Sequence, residues 1–341
     1  MDKMLSYDDV LLVPKYSSIE SRKEIDIGNR LDEFIRLDIP IISSPMDTVS
    51  EEKMAIAMAK AGGMAIIHRY CDLHRQVKMA KDAVEGLDPP GAVAAAVGVK
   101  GDFVERAKEL IDIGVEVICI DVAHGHHVLM ERTIKKLKDE ISNCFHLMAG
   151  NVAGGDGYTD LSDWGADSIR CNVGGGSICT TRVQTGHGVP GFQTILDCAE
   201  VRTNAKIIAD GGMRNSGDIV KALAAGADFV IAGSLFAGTN EAPGLTMVAE
   251  DGVKYKEYRG MASKKAQASW KGSAAYAEGI STVVPYKGAV SYIMNELKEG
   301  IVSGFSYSGA RNIRQFWSLA EFIIQTSAGQ QESNPHILTR Y

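Results

Sequence analysis

Cys179 is preceded by Gly174-Gly175-Gly176-Ser177-Ile178 and followed by Thr180-Thr181-Arg182, an order of residue types from which a sulfur nucleophile can be built. Glycines accept positive φ and let backbone N–H and C=O groups approach a ligand or an ion closely. A cysteine held in such a turn can become the thiolate that attacks carbon. Activation needs a proton route, and the sequence offers Thr181, two residues on, and Glu278 in Tyr276-Ala277-Glu278-Gly279. The competing reading is a surface turn followed by a buried structural cysteine.

Two further glycine-bearing segments have binding chemistry. Asp210-Gly211-Gly212 and Gly233-Ser234 suit loops that hold phosphate through backbone N–H groups, and Asp210 can accept both hydroxyls of a ribose. A nucleotide or a sugar phosphate fits this set; glycines that merely permit tight turns are the alternative. Asp121, followed by His124 and His126, presents metal-ligand types. No second carboxylate–histidine cluster completes a coordination shell, so Asp121 reads equally as a partner for a sugar hydroxyl or an amide, with the histidines lining a pocket or solvated. Cys119 and Cys171 fall in apolar runs and Cys198 on a helix face, positions that suit core packing.

These loops need a scaffold, and its period is visible. Eight short apolar runs rich in β-branched residues read as strands: Ile39–Ser43, Met64–His68, Val93–Val99, Val117–Asp121, His146–Ala149, Ser168–Val173, Lys206–Ala209 and Phe229–Ala232. Between them, helices are expected at Glu51–Ala61, Leu73–Val84, Phe103–Ile113, His127–Glu140, Phe192–Val201 and Ser216–Ala225, with a short, weak one after the fifth strand. Ser50 reads as a cap before Glu51, and Gly114 and Gly226 fall just past helix ends, where a left-handed residue is favoured. Eight such units in one chain favour a closed (β/α)8 barrel, the α/β TIM-barrel class, over an open doubly wound sheet. Active sites of such barrels lie at the C-terminal ends of the strands, where the Asp121, Cys179, Asp210 and Gly233 segments fall.

After the eighth strand the chain continues for more than a hundred residues. Asp251–Gly260 reads as a charged hairpin, Met261–Gly279 as a Ser/Ala/Gly-rich mobile segment, and Gly288–Glu299 as a final amphipathic helix. Residues 251–287 are thus expected to form a hairpin and lid within a single catalytic domain spanning 1–341.

Composition narrows the functional classes. The chain has 341 residues, 45% of them hydrophobic, and a formal net charge of −7. That balance argues against a protein that grips nucleic acid or an anionic membrane, both of which call for a basic face. Six cysteines (Cys71, Cys119, Cys144, Cys171, Cys179 and Cys198) occur without a CxxC pair, as in a reducing compartment. The N-terminus is polar, and no run of roughly 18 apolar residues offers a membrane span. A cytoplasmic protein is the expectation.

Taken together, the motifs resemble the IMP dehydrogenase and GMP reductase family of purine-nucleotide oxidoreductases. The resemblance runs nearly end to end: Tyr7-Asp8-Asp9-Val10-Leu11-Leu12-Val13-Pro14, Ser44-Pro45-Met46-Asp47-Thr48-Val49, Asp121 with its loop, Gly150-Asn151-Val152, the Cys179 segment, Ile208-Ala209-Asp210-Gly211-Gly212, Gly233-Ser234 with Gly238, Tyr258-Arg259-Gly260-Met261, and Glu278-Gly279. It implies a (β/α)8 barrel in which Cys179 attacks purine carbon 2 of a mononucleotide while a nicotinamide cofactor exchanges hydride there, with Thr181 and Glu278 handling protons. By resemblance, Ser177, Gly211, Gly212, Gly233, Ser234 and Tyr258 hold the phosphate end, Asp210 the ribose, and Gly260 and Met261 the base. Asp121, Ala123, His124, Gly150 and Asn151 would face the cofactor. Carbonyls of Gly174, Gly176 and Cys179 would line a site for a monovalent cation such as K+. A homotetramer is also implied.

The chain departs from the family pattern in identifiable places. Gly86-Leu87-Asp88-Pro89-Pro90 leads directly into the third strand, leaving no room for the regulatory module most IMP dehydrogenases insert there. Where a dehydrogenase lid carries an Arg-Tyr pair that activates the hydrolytic water, this chain reads Ser269-Trp270-Lys271-Gly272-Ser273-Ala274-Ala275-Tyr276. The run Cys179–Gly188 looks like a reductase, whereas Met46–Glu51 and Val284–Gly288 look like bacterial dehydrogenases. The expectation is therefore a reductase converting GMP to IMP with NADPH. A minimal IMP dehydrogenase using NAD, an enzyme for a modified or deoxy purine nucleotide, and a non-catalytic nucleotide-binding protein are the alternatives. Gly175 replaces a usual proline, Asn172 a usual glycine, and Gly191 a usual glutamine.

Overall fold

The computed structural model describes residues 3–88, 91–141, 145–272 and 277–335. Pro89-Pro90, Cys144 and the lid residues 273–276 lie outside the described residues. Eight strands form a closed parallel barrel: β1 (Ile41–Ser43), β2 (Met64–Ile67), β3 (Ala94–Val97), β4 (Val117–Asp121), β5 (His146–Val152), β6 (Ser168–Cys171), β7 (Lys206–Asp210) and β8 (Phe229–Ala232). Each pairs with the next, and β8 closes on β1 through Val230 opposite Ile41 and Ile231 opposite Ile42. The expected fold and every expected strand are present, with ends shifted by a few residues. β5 is the largest change, because it continues through Gly150-Asn151 to Val152 with a register shift against β6.

The strands are apolar on both faces because each is covered twice. Inward residues, among them Ile42, Met64, Ile66, Val117, Met148, Ile208 and Phe229, pack as one buried cluster that fills the lumen. Leu31, Ile35 and Leu37 join that cluster from the hairpin spanning 29–37, which plugs the end where the strands begin. Outward residues meet the ring of helices α1 (Glu52–Lys60), α2 (Leu73–Glu85), α3 (Phe103–Asp112), α4 (Val128–Glu140), α5 (Gly155–Asp163), α7 (Gly191–Glu200) and α8 (Ser216–Ala224), while the short α6 (Thr181–Thr185) follows the cysteine loop. α2 shows why they dock: Met79, Ala80 and Ala83 form its buried stripe, and Asp72 caps it by accepting from Arg75 N.

Several local expectations change. Ser50 does not cap α1; its hydroxyl donates to the Ser44 carbonyl and pairs with Ser43 Oγ, tying the β1 loop instead. The helix after β5 is a full two and a half turns, anchored by buried Tyr158 and Leu161. The helix expected to end at Glu299 runs as α10 (Val290–Tyr307), packs against α8 and α1, and so serves as the eighth barrel helix. It is not final: α11 (Ile313–Leu319) and α12 (Ser327–Glu332) follow, and Phe322–Ile324 pairs antiparallel with Val10–Leu12.

The lid is inserted between β8 and α10. β9 (Met247–Val248), β10 (Lys254–Arg259) and β11 (Ser281–Pro285) form an antiparallel sheet, so the hairpin begins earlier than Asp251 and its partner strand lies beyond the segment expected to be mobile. That segment carries α9 (Lys264–Lys271), capped by Ser263 Oγ, which accepts from Ala266 N. Among the described residues, no helix is long and apolar enough to cross a membrane.

Candidate active site

Loops at the C-terminal ends of the strands and the lid enclose a cavity of about 250 Å³. Its wall includes Cys179, Thr181, Glu278, Ser177, Asp210, Gly211, Gly212, Gly233, Ser234, Tyr258, Gly260, Met261, Asp121, Ala123, Asn151, Gly174 and Gly176. Two expected residues do not line it: His124 is exposed on the loop after β4, and Gly150 is buried within β5. Most of the residues singled out by type and spacing are therefore brought to one place.

The Cys179 loop is held by its own turn and by the lid. Cys179 N donates to Gly176 O at 3.1 Å. Thr180 N donates to Glu278 O at 3.0 Å, and Ile280 N donates to Ile178 O at 3.1 Å. Gly260 N in turn donates to Ile280 O at 3.0 Å, so three chain segments are stitched side by side. Gly260 and Gly279 face each other in this stitch, and a Cβ at Gly279 would come within 3.3 Å of Ser263 N, a tight contact. The stitch delivers the Glu278 carboxylate to the cysteine. Cys179 Sγ donates to Thr181 Oγ1 at 3.1 Å, and Thr181 Oγ1 donates to Glu278 Oε2 at 2.8 Å. A thiol proton thus has a directed path to a carboxylate.

Also on the cavity wall, the Tyr258 hydroxyl lies 3.5 Å from Ser177 Oγ and faces Gly233, where a Cβ would come within 3.0 Å of it. Gly211 and Gly212 take φ of 76° and 83°, the left-handed region that favours glycine. Burial raises the Tyr258 pKa, only partly offset by the Ser177 hydrogen bond, and the raised pKa keeps the phenol a proton donor. Hydroxyls and glycine N–H groups at one mouth of a pocket match an anionic group.

The third feature is a charged pole that sequence reasoning missed. Arg170, 5% exposed, sits in β6 between two carboxylates. Its Nη1 donates to Asp121 Oδ1 at 2.7 Å, and its Nε donates to Asp210 Oδ2 at 2.9 Å. Asn151 Nδ2 also donates to Asp210 Oδ2, at 2.7 Å. Burial would raise the Asp121 carboxyl, but Arg170 and Arg69 reverse that and hold it below the ordinary carboxylate range. Arg69 Nη2 donates to the Asp121 carbonyl at 2.9 Å, and its Nε lies 3.5 Å from Asp121 Oδ2, an ion pair rather than a close hydrogen bond. An arginine inside the apolar run Ser168–Cys171 was the available signal, because a buried guanidinium requires partners.

The metal reading of the β4 loop finds no geometry. Asp121 is committed to arginines, and His126 Nε2 pairs with Asp160 at 2.7 Å. Among the described residues, no group of three or more His, Cys, Asp or Glu converges to hold a metal. Cys119, Cys171 and Cys198 are fully buried, as their apolar settings suggested. The lid closes on the barrel through Arg259, whose guanidinium pairs with Asp47 at 2.5 Å, with both side chains largely buried. Asp47 N also donates to Met261 Sδ at 3.3 Å.

A model of the IMP dehydrogenase / GMP reductase domain matches residues 4–336. An inosine-5'-monophosphate dehydrogenase of Cryptosporidium parvum is 37% identical over 98% of this chain and 95% of its own. A GMP reductase of Leishmania major is 31% identical over 98% of this chain and 97% of its own. A GMP reductase variant from Trypanosoma brucei, solved in complex with guanosine 5'-monophosphate, superposes with a TM-score of 0.92 at 31% identity, covering 98% of each chain. The barrel, the cysteine loop under its lid and these relatives agree: the chain belongs to the IMP dehydrogenase / GMP reductase family, oxidoreductases that act on purine nucleotides with nicotinamide cofactors.

Proposed function

We propose that this chain is a GMP reductase: GMP, NADPH and two protons give IMP, NADP+ and ammonium. The observation that carries the reading is the Cys179–Thr181–Glu278 relay, combined with a lid that lacks a water-activating arginine. From Gly260 to Ala310 the sequence contains no arginine at all. A relay that moves protons without activating water suits loss of ammonia better than hydrolysis.

The residues divide the work along the cavity. The phosphate end would rest on Ser177, Gly211, Gly212, Gly233, Ser234 and Tyr258, with Asp210 on the ribose hydroxyls and Gly260 and Met261 against the base. Cys179 Sγ then bonds to purine carbon 2 while its proton passes through Thr181 to Glu278. The carbon–nitrogen bond to the 2-amino group breaks, and the same relay returns a proton to the leaving ammonia. When bound, a reduced nicotinamide cofactor supplies the hydride that replaces sulfur at carbon 2. Asp121, Ala123 and Asn151 line the wall available to it, beside Arg69. The Gly174, Gly176 and Cys179 carbonyls are a neutral all-oxygen set that suits K+. Exposed Leu245, Val248 and Val283 on the lid region supply apolar surface for the homotetramer this reading includes. A cytoplasmic enzyme completes it.

The dehydrogenase alternative is favoured by one observation: the dehydrogenase from Cryptosporidium parvum is 37% identical and the Leishmania major reductase 31%. The assay that separates them follows NADPH loss with GMP and NADH formation with IMP, in wild type and Cys179→Ala. GMP-dependent NADPH loss that vanishes in the variant is expected. IMP-dependent NADH formation overturns the reductase, and silence in both directions points to a different purine or to a binding protein.

A further inference from the structure

Asn172, Gly175 and Gly191 are separate departures in the sequence, and the fold brings them to one point. A Cβ at Gly175 would sit 2.2 Å from Asn172 Nδ2 and 2.5 Å from its Oδ1; a Cβ at Gly191 would sit 3.0 Å from the same nitrogen. The Asn172 carboxamide therefore fills the space that larger side chains at 175 and 191 would take.

That carboxamide is also fully engaged. Its Nδ2 donates to Asp210 O at 2.9 Å and to Gly211 O at 3.4 Å, and its Oδ1 accepts from Arg182 Nη2 at 3.3 Å. Its backbone carbonyl accepts from Asn151 Nδ2 at 3.0 Å, the nitrogen that also serves Asp210. Asn172 is 4% exposed and has φ of 143°, a region that residues with a β-carbon avoid. Such a conformation persists only where the surroundings over-determine it. Here they tie the base of the nucleophile loop to the strand end that carries Asp210.

We infer that Asn172 is a positioning residue: its hydrogen bonds lock the Cys179 loop to Asp210–Gly211, supplying the stiffness that a proline at 175 would supply through its ring. The inference deepens the proposed function by naming what sets the distance between the sulfur and the ribose-holding carboxylate.

The test is a cycle of wild type, Asn172→Gly, Gly175→Pro and the double variant, with Asn172→Asp as a size-matched loss of both amide donors. Three readouts apply: the rate of Cys179 alkylation by iodoacetamide, mapped by mass spectrometry; kcat and KM with GMP and NADPH; and melting temperature. Asn172→Gly relieves the backbone, so its melting temperature holds or rises, yet its kcat falls about 10- to 100-fold and its alkylation rate departs from wild type. Asn172→Asp follows it in kcat and alkylation rate. Gly175→Pro alone collides with the carboxamide and loses activity and stability. The double variant returns to within about threefold of wild type. Wild-type kcat and alkylation rate in Asn172→Gly, or single effects that simply multiply in the double variant, overturn the inference. Alkylation needs no substrate, so a chain inert toward GMP would refute the reductase assignment and still test this one.

Discussion

The Thr181 hydroxyl donates to Glu278 Oε2 at 2.8 Å across 97 residues of sequence, while Thr181 Oγ1 itself accepts from Cys179 Sγ at 3.1 Å. Thr181→Val keeps the shape and removes both bonds. We expect kcat to fall about 100-fold or more, with KM for the nucleotide changing only a few-fold, in steady-state assays. Glu278→Gln should behave alike. A Thr181→Val enzyme of wild-type turnover would remove the relay from the mechanism.

Arg170 joins Asp121 and Asp210, so its loss leaves two buried carboxylates without their shared cation. Arg170→Met should destabilise the fold by about 3–5 kcal/mol at neutral pH, read from urea unfolding. The sign with pH is opposite to wild type. Asp121 is held low by the guanidinium groups; without Arg170 its pKa rises, and acidification toward pH 5 should restore part of the loss by protonating it.

The Arg259–Asp47 pair connects the lid sheet to the β1 loop. Arg259→Gln, Asp47→Asn and the double variant should show a coupling of about 1–3 kcal/mol in kcat/KM for the nucleotide. Limited proteolysis gives an independent measure: cutting between β10 and β11 should be faster in either single variant. Unchanged cutting would show that the pair does not hold the lid.

At the other end of the barrel, Asp32 Oδ2 meets His146 Nδ1 at 2.9 Å. Burial would raise this carboxyl, but His146 and the N–H groups of Ile35 and Phe34 bring it from 3.8 down to about 2. A depressed folded pKa contributes stability above the unfolded value and loses it as pH falls through the folded one. Asp32→Asn should therefore cost about 1–2 kcal/mol at pH 7, allowing for partial exposure, and the deficit should fade between about pH 4 and pH 2. Chemical denaturation at both ends of that window measures it.

What was legible in the sequence follows a physical division. The strands were readable because each is buried on both faces and must be apolar, and the Cys179 loop because its glycines, hydroxyls and thiol are adjacent. The Arg170 web was not, since it is assembled from residues of four successive strands, and although Asp121, Asn151 and Asp210 stood out singly, the arginine that joins the two carboxylates is one polar letter inside an apolar run. The helix expected to stop at Glu299 continues as α10 to Tyr307, because buried Ile301 and Phe305 carry its apolar stripe on against α8. The departures at Asn172, Gly175 and Gly191 were visible singly; that they compensate one another is a fact of three-dimensional proximity.

The stitch between Ile178, Thr180 and the lid has a bearing on how the enzyme survives its own chemistry. Glu278 is carried by the same backbone ladder that grips the cysteine loop, so lifting the lid withdraws the proton acceptor together with the cover. An open pocket then holds Cys179 without the carboxylate that completes its proton path. Exposure to passing oxidants and electrophiles thus coincides with a dismantled relay, and the complete Cys179–Thr181–Glu278 path exists only where the lid covers the pocket.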